Sequence, residues 1–356
     1  MRNKRGWLAC VLFVSVFAGI AVWRQCGTPA GMAYRHNEGV VFNTLYHIVY
    51  QSEEDYQSQI EEELRRFDAS LSPFNPTSII SRFNQNDTSA VADMWFSRVF
   101  NRSKEIWRDT EGAFDPTVSP LINAWGFGFK NGVPMTPEIV DSLWQRDHRN
   151  KPQKEYRWRH LVGMERVELL GGRLYKDDPR MTLNFSAIAK GYAVDVVASF
   201  LRGKGVENYL VEIGGEVVAR GKNERGEIWR VGIDTPDEGN VAGGEIDAVV
   251  MLDDAALATS GNYRNFRIVD GRRVAHTINP ATGYPVQHSL LSATVLASDC
   301  MTADAYATAF MVLGVEKSME IASRHPEMEV YLIYAVDSVD VSVVMTPGMR
   351  QYIFGE

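Results

Sequence analysis

The stretch T-A-D-A-Y-A-T-A-F, residues 302–310, is rich in alanine and therefore predicts an α-helix. Its flanking residues are mostly apolar, which predicts that the helix is buried. Asp304 and Thr308 are four residues apart, so they would lie on one face of that helix. Two interpretations are open. Thr308 could bond its own backbone while Asp304 lies at a water-facing edge, or the two oxygens could hold a hard cation such as Mg²⁺.

Outside this helix, the chain mixes helical and strand patterns without a regular βαβ order, which predicts an α+β fold. We expect a strand from Val40 to Tyr50, several strands between residues 208 and 297, and a hairpin over 329–345. We also expect one short helix that begins at Thr136 and five longer ones, over 53–69, 93–111, 185–202, 302–314 and 315–325. No glycine-rich nucleotide-binding fingerprint has the usual spacing.

Composition limits the class of protein. The 356 residues are 45% hydrophobic and 11% aromatic, which is enough for a large core. The net charge is −8, and a basic N-terminus leaves the remainder still more acidic. An acidic body argues against non-specific binding to nucleic acid, so we expect no nucleic-acid partner.

The N-terminus carries a targeting pattern. Residues 7–23 are uncharged and follow Arg2, Lys4 and Arg5, which is typical of a secretion signal or a membrane anchor. We therefore expect three parts, namely a cytoplasmic tip with a membrane signal or anchor, a linker, and one large domain, over residues 1–23, 24–38 and 39–356.

Three fates of the N-terminal segment are open. It could stay as an uncleaved anchor, which we favour, it could be lipidated at Cys26, or it could be cleaved, for example after Ala33. All three place the main domain outside the cytoplasm, and we expect it on the periplasmic side of the inner membrane.

Two loops combine aromatic or polar residues with prolines and glycines. Residues 112–128, G-A-F-D-P-T-V-S-P-L-I-N-A-W-G-F-G, cannot form a single helix or a plain strand. Their aromatic rings either pack on the protein's own core or form a wall for a flat ligand. Residues 275–285, A-H-T-I-N-P-A-T-G-Y-P, place His276 at the edge of a strand, where it is either structural or available for proton transfer.

Three further stretches could approach a phosphate. In N-F-S-A-I-A-K-G-Y-A-V-D, residues 184–195, Ser186 is predicted to cap a helix that begins at Ala187, with Lys190 adding a positive charge. The alternative is a capped helix whose lysine reaches solvent. Residues 211–217, V-E-I-G-G-E-V, are either a double-glycine turn where the backbone can approach another group closely or an ordinary hairpin turn. Residues 258–264, A-T-S-G-N-Y-R, either offer Arg264 to an anion or form a plain turn.

Six of these motifs, in this order over about residues 40–350, resemble the ApbE-type FAD:protein FMN transferases: GAFDPTVSPL with WGFG, SAIAKGYAVD, IGGE, TSGNYR, HTINPATG and ADAYATA. The resemblance implies an α+β fold with mixed or antiparallel sheets, flanking helices and a flavin cleft between two intertwined lobes. It also implies a Mg²⁺-dependent transferase over residues 39–356. Such an enzyme cleaves FAD, attaches FMN to a Thr or Ser of an exported protein and releases AMP.

The resemblance also implies partners. Acceptors in the family are flavin-bearing subunits of membrane redox complexes, such as the Rnf type and the sodium-pumping NADH:quinone oxidoreductase. Two alternatives remain, an FAD pyrophosphatase and a non-catalytic surface protein that binds flavin. An aromatic residue at Phe74 is typical of the transferase branch, because some pyrophosphatase relatives carry Asn there.

Residue roles follow from the resemblance position by position. Asp304 and Thr308 would be side-chain ligands of Mg²⁺, with the Ala187 carbonyl as a third ligand. His276 would be the base toward the acceptor hydroxyl. Asn184 is neutral where the family pattern predicts an acid. The residues that would contact FAD are Phe42, Phe74, Ala113, Phe114, Asp115, Asn184, Lys190 and Ile278.

Overall fold

The computed structural model describes residues 33–127, 160–236, 245–262, 266–269, 272–337 and 340–355. The strands in these ranges are β1 (Tyr34–Val41), β2 (Thr44–Gln51), β3 (Val167–Leu170), β4 (Arg173–Lys176), β5 (Tyr209–Ile213), β6 (Glu216–Arg220), β7 (Trp229–Asp234), β8 (Ile246–Leu252), β9 (Ala255–Gly261), β10 (Phe266–Val269), β11 (Arg272–Ala275), β12 (Leu290–Ala297), β13 (Glu329–Ala335) and β14 (Val341–Met345).

Eight of these strands form a central antiparallel sheet in the order β1-β2-β5-β6-β9-β12-β13-β14. Three two-stranded pairs, β3-β4, β7-β8 and β10-β11, accompany it. The helices are α1 (Gln57–Leu71), α2 (Ile79–Asn84), α3 (Met94–Asp109), α4 (Ser119–Ala124), α5 (Ala189–Gly203), α6 (Cys300–Leu313) and α7 (Val315–Arg324). The predicted α+β class and the C-terminal hairpin are confirmed.

Alternation along the strands creates a core on each face of the sheet. In β2, Tyr46, Ile48 and Tyr50 are buried and point to the helical layer, as the period of two requires. The larger core lies between this face and helices α1, α3, α5 and α6. A smaller core on the opposite face joins the sheet to the β7-β8 pair and a C-terminal 3₁₀ helix, Pro347–Tyr352.

The N-terminal part of the domain differs from the prediction. The single strand expected from Val40 to Tyr50 is wrong, because the chain turns at Phe42 and Asn43, both with positive φ, between β1 and β2. The linker expected over 24–38 is too long, since β1 already begins at Tyr34. Strand β1 lies at the edge of the sheet and its side chains are mostly polar, so it lacks the apolar alternation of a covered strand.

The five longer predicted helices are confirmed as α1, α3, α5, α6 and α7, apart from their ends, whereas α2 and α4 were not predicted. Helix α4 lies within the loop 112–128, and Pro120 stands in its first turn. The short helix expected from Thr136 and the predicted membrane segment, residues 1–23, lie outside the described residues. None of the helices in the described ranges is long and apolar enough to cross a membrane.

Helices α5 and α6 approach each other closely at Gly191. A Cβ atom placed on Gly191 would overlap the Cys300 carbonyl oxygen and lie 2.8 Å from Cβ of Asp304. The side chain of Asp195 on α5 accepts hydrogen bonds from the Cys300 and Met301 N–H groups, both at 2.8 Å. The glycine and this carboxylate together fix the start of α6 against α5.

We expect Gly191→Ala to lower the free energy of unfolding by about 1–3 kcal/mol, because the added methyl must push backbone apart. Urea denaturation monitored by circular dichroism would measure this loss. The matched control is Gly203→Ala in the same helix, where an added Cβ meets nothing within 4 Å. A Gly191→Ala variant as stable as the control would contradict the close contact.

Candidate active site

The turn between β1 and β2, the start of β6 and the end of β9 meet at one end of the central sheet. A cavity of about 610 Å³ opens there. Its wall includes all twelve residues that the sequence singled out, namely Phe42, Phe74, Ala113, Phe114, Asp115, Asn184, Ala187, Lys190, His276, Ile278, Asp304 and Thr308. The structure therefore brings these residues together, and the role of each one stays a prediction.

One side of the cavity is apolar and aromatic. Phe42, at the tip of the first hairpin, packs against Phe67 of α1 with ring centroids 5.6 Å apart. Phe114 is buried, whereas Phe74 is 45% exposed. Val118 also lines this side. Apolar walls with a few polar groups are typical of cavities for flat aromatic ligands.

The aromatic loop 112–127 uses its rings in both of the ways that the sequence left open. Phe114 faces the cavity. Trp125 packs on Tyr284 and donates its Nε1–H to the Gly283 carbonyl at 2.8 Å. Phe127 contacts the His276 ring edge-on, with centroids 6.5 Å apart. The loop thus supports the segment that holds His276 half-buried at the cavity.

Helix α6 contributes oxygen atoms to the cavity wall. Asp304 is 3% exposed, and its Oδ2 accepts the Gly191 N–H at 3.0 Å. This bond takes the Gly191 N–H away from the Ala187 carbonyl, its usual partner four residues earlier. The Thr308 hydroxyl lies 3.2 Å from the Ser260 hydroxyl. The structural reading of Asp304, at a water-facing edge, is wrong because the carboxylate is buried.

Charge accumulates around Lys190. Its ammonium pairs with Glu216 Oε1, and Glu216 is 3% exposed. Burial disfavours the charged lysine, but Glu216 and Asp304 more than offset this and raise the pKa of Lys190. Burial also raises the pKa of both carboxyls, against the lowering effect of Lys190. The two buried acids thus share one ammonium, and burial favours the protonated form of each.

The start of α5 differs from the prediction at Ser186. The helix begins at Ala189, Ile188 is its N-cap and has no side-chain capping bond, and Ser186 is exposed. The Asn184 Oδ1 instead accepts the Ser186 N–H at 2.8 Å and closes a turn before the helix. The expected Ser186 cap is therefore wrong, because the helix begins two residues later and the Ile188 and Ala189 N–H groups donate to the Phe185 carbonyl.

Asp115 shapes the floor of the cavity. Its Oδ1 accepts the Thr117 N–H at 2.8 Å and the Thr117 hydroxyl at 2.5 Å. Thr117 Oγ1 in turn accepts the Gly163 N–H at 2.7 Å. Burial raises the pKa of Asp115 to about 6, although the bonds from Thr117 oppose the shift. Through these hydrogen bonds, the Asp115 carboxyl fixes the conformation of the 113–118 loop.

The family model described as the ApbE family matches residues 42–332. The FAD:protein FMN transferase of Vibrio cholerae is 35% identical over 94% of this chain and 95% of its own length. That of Haemophilus influenzae is 36% identical over 84% of this chain and 86% of its own. The chain belongs to the ApbE family.

The fold comparison agrees with this membership. The solved structure of the flavin transferase ApbE from Vibrio cholerae superposes with a TM-score of 0.77 at 33% identity. The superposition covers 90% of this chain and 99% of that chain. The ApbE-like fold that the sequence motifs implied is thereby confirmed.

The oxygen donors of this ApbE-family cavity fit a magnesium ion. Asp304, Thr308 and the Ala187 carbonyl supply the hard oxygen donors that Mg²⁺ prefers. Glu216 Oε2 is buried without a hydrogen-bond partner among the described residues, so nearby negative charge is unsatisfied. The part of the chain that the structure describes contains no group of three or more His, Cys, Asp or Glu residues that could hold a metal ion. A metal ion in this cavity would therefore be held by one carboxylate, one hydroxyl and one backbone carbonyl, and oxygens of the substrate or of water would complete its coordination.

Sequence reasoning did not assign roles to several residues of this ApbE-family site. Glu216, Thr259 and Ser260 all line the cavity. They belong to residues 211–217 and 258–264, two stretches for which the sequence left both a functional interpretation and an ordinary turn open. The acid that follows the Gly214–Gly215 pair was the available signal, because a double-glycine turn lets the backbone approach another group closely.

Proposed function

We propose that this chain is an FAD:protein FMN transferase that attaches FMN to a Thr or Ser hydroxyl of an exported acceptor protein and releases AMP. The observation that carries the proposal is one cavity whose wall combines the aromatic rings of Phe42, Phe74 and Phe114 with Lys190, Asp304 and Thr308. An isoalloxazine ring suits the aromatic residues, and a pyrophosphate suits the polar ones.

The residues of the chain divide the chemistry between them. The Lys190 ammonium offsets negative charge on the pyrophosphate as the bridging bond breaks. His276 accepts the proton of the acceptor hydroxyl while its oxygen attacks the phosphorus of the FMN half. The P–O bond to the AMP half breaks, and AMP leaves with the bridging oxygen. Phe42, Phe74 and Phe114 hold the flavin.

The metal ligands follow from the same proposal. Asp304, Thr308 and the Ala187 carbonyl would hold Mg²⁺. When bound, the ion would polarise the phosphoryl oxygens and offset their charge. Asp304 also anchors the start of α5 through Gly191, so the predicted ligand and the helix that carries Lys190 are mechanically joined.

We further propose where the enzyme works and on what. The uncharged run at residues 7–23 after a basic start favours attachment to the inner membrane with the domain on the periplasmic side. Acceptors would be flavin-carrying subunits of membrane redox complexes of the Rnf or sodium-pumping NADH:quinone oxidoreductase type. Both statements rest on the sequence pattern and on the family.

The test is transfer to an acceptor. Purified protein is incubated with FAD, Mg²⁺ and an acceptor domain that carries a flavinylation Thr, and the acceptor is weighed by intact-mass spectrometry. We expect its mass to rise by one FMN, with AMP formed in equal amount. An acceptor whose Thr is replaced by Val is the control. Release of free FMN and AMP at the same rate without acceptor would identify a pyrophosphatase, and no product at all would identify a flavin-binding protein.

A further inference from the structure

Glu216 is the buried acid of the cavity to which no role has been assigned. It is the first residue of β6 and follows Gly214 and Gly215, whose positive φ values turn the chain tightly. The residue is 3% exposed and lines the cavity. The backbone, rather than a flexible loop, therefore sets the position of this carboxylate.

The two oxygens of Glu216 have different surroundings. Oε1 pairs with the Lys190 ammonium. Oε2 is buried and has no hydrogen-bond partner among the described residues. An unsatisfied buried carboxylate oxygen is costly to keep, since the desolvation penalty of a charged group exceeds that of a neutral one. A chain that retains such a group in a ligand cavity points to a use for its charge when the site is filled.

Two acids lie near Lys190: Glu216 pairs with its ammonium, and Asp304 accepts the N–H of the next residue, Gly191, at 3.0 Å. Both acids line the same cavity as the lysine. If the Glu216 carboxylate were removed, the Lys190 ammonium would interact with Asp304 as its remaining nearby acid. It would then compete for the carboxylate that a divalent cation needs, because one buried oxygen pair cannot fully serve two cations.

We propose that Glu216 is a positioning residue that holds the Lys190 ammonium away from Asp304, and so keeps Asp304 available to Mg²⁺. This inference rests on the proposed function, because it deepens the role of the same cavity. On this proposal, the I-G-G-E motif places the Glu216 carboxylate in a fixed position beside the Lys190 ammonium. Glu216 acts through Lys190 and not as a ligand of the metal.

The test is a double-mutant cycle read out as Mg²⁺ affinity, measured by calorimetry on the full chain without FAD or acceptor. We expect Glu216→Gln to weaken Mg²⁺ binding by about tenfold or more, which corresponds to about 1.4 kcal/mol. We expect Lys190→Met to tighten it. In the Lys190→Met background, Glu216→Gln should change Mg²⁺ affinity little, because the competing ammonium is gone.

A matched control is Glu212→Gln, which makes the same change in the β5–β6 hairpin at a residue outside the cavity wall. It should leave Mg²⁺ affinity unchanged. Thermal unfolding of each variant separates a loss of folding from a loss of affinity.

Three outcomes would overturn the proposal. An equal loss of Mg²⁺ affinity in both backgrounds would make Glu216 a direct ligand. A lowered melting temperature with unchanged Mg²⁺ affinity would make it structural only. Absence of Mg²⁺ binding to the unmodified chain would remove the competition altogether. A failure of FMN transfer with the cycle intact would instead refute the proposed function and leave the coupling standing.

Discussion

Replacing Asp304 by asparagine is expected to lower FMN transfer about a thousandfold and to remove its dependence on Mg²⁺. A bound metal contributes several kcal/mol of charge stabilisation in such reactions, and each 1.36 kcal/mol is a factor of ten in rate. Asparagine has nearly the same shape, and its amide oxygen can still accept the Gly191 N–H. The fold should therefore survive while the anionic ligand is lost.

The measurement is the initial rate of acceptor flavinylation over a range of Mg²⁺ concentrations. Asp299→Asn is the matched control, because Asp299 caps the same helix through the Thr302 N–H and asparagine caps equally well. That control should keep both the rate and its Mg²⁺ dependence. An Asp304→Asn enzyme that transfers FMN at the normal rate would remove Asp304 from the metal site.

Replacing His276 by alanine is expected to lower transfer by about 10²–10⁴-fold while FAD still binds. A positioned general base contributes an effect of this size, and a Thr hydroxyl is a poor nucleophile without one. His276 contacts Phe127 at the cavity, whereas the aromatic wall formed by Phe42 and Phe114 lies elsewhere on the lining. FAD affinity, followed by quenching of flavin fluorescence, should stay close to that of the unmodified protein.

The control for this variant is His47→Ala, which removes an exposed imidazole on β2 that pairs with Glu212 and does not line the cavity. It should transfer FMN normally. If His276→Ala instead unfolded the protein, or lost FAD binding and transfer together, the histidine would be a structural support of the 275–285 segment. The pair of readouts, binding and transfer, separates these cases.

The sequence predicted the centre of the site well, because spacing along a helix carries over directly into space. Asp304 and Thr308, four residues apart, do line one cavity from one helix. The alanine-rich surroundings also predicted burial correctly, since α6 packs on the sheet and on α5. Local periodicity was sufficient for these statements.

Other features depend on contacts that no local pattern contains. The Phe42–Asn43 turn was hidden because apolar residues lie on both sides of it, so the end of β1 and the whole of β2 looked like one strand. The Ser186 cap failed because the Ile188 and Ala189 N–H groups, which it would have bound, both donate to the Phe185 carbonyl. Glu216 was overlooked because its partner, Lys190, is 26 residues earlier in the chain and belongs to another element.

The order of strands in the central sheet has a consequence for biosynthesis. The hairpins formed by the first and last strands lie at opposite edges, and the cavity is lined by residues from Phe42 to Val312. A nascent chain that ends before α6 therefore lacks part of the wall, so ligand cannot assist folding until nearly the whole polypeptide has emerged. We expect that FAD added to a refolding mixture leaves the rates of the early folding phases unchanged and stabilises only the fully folded protein against unfolding.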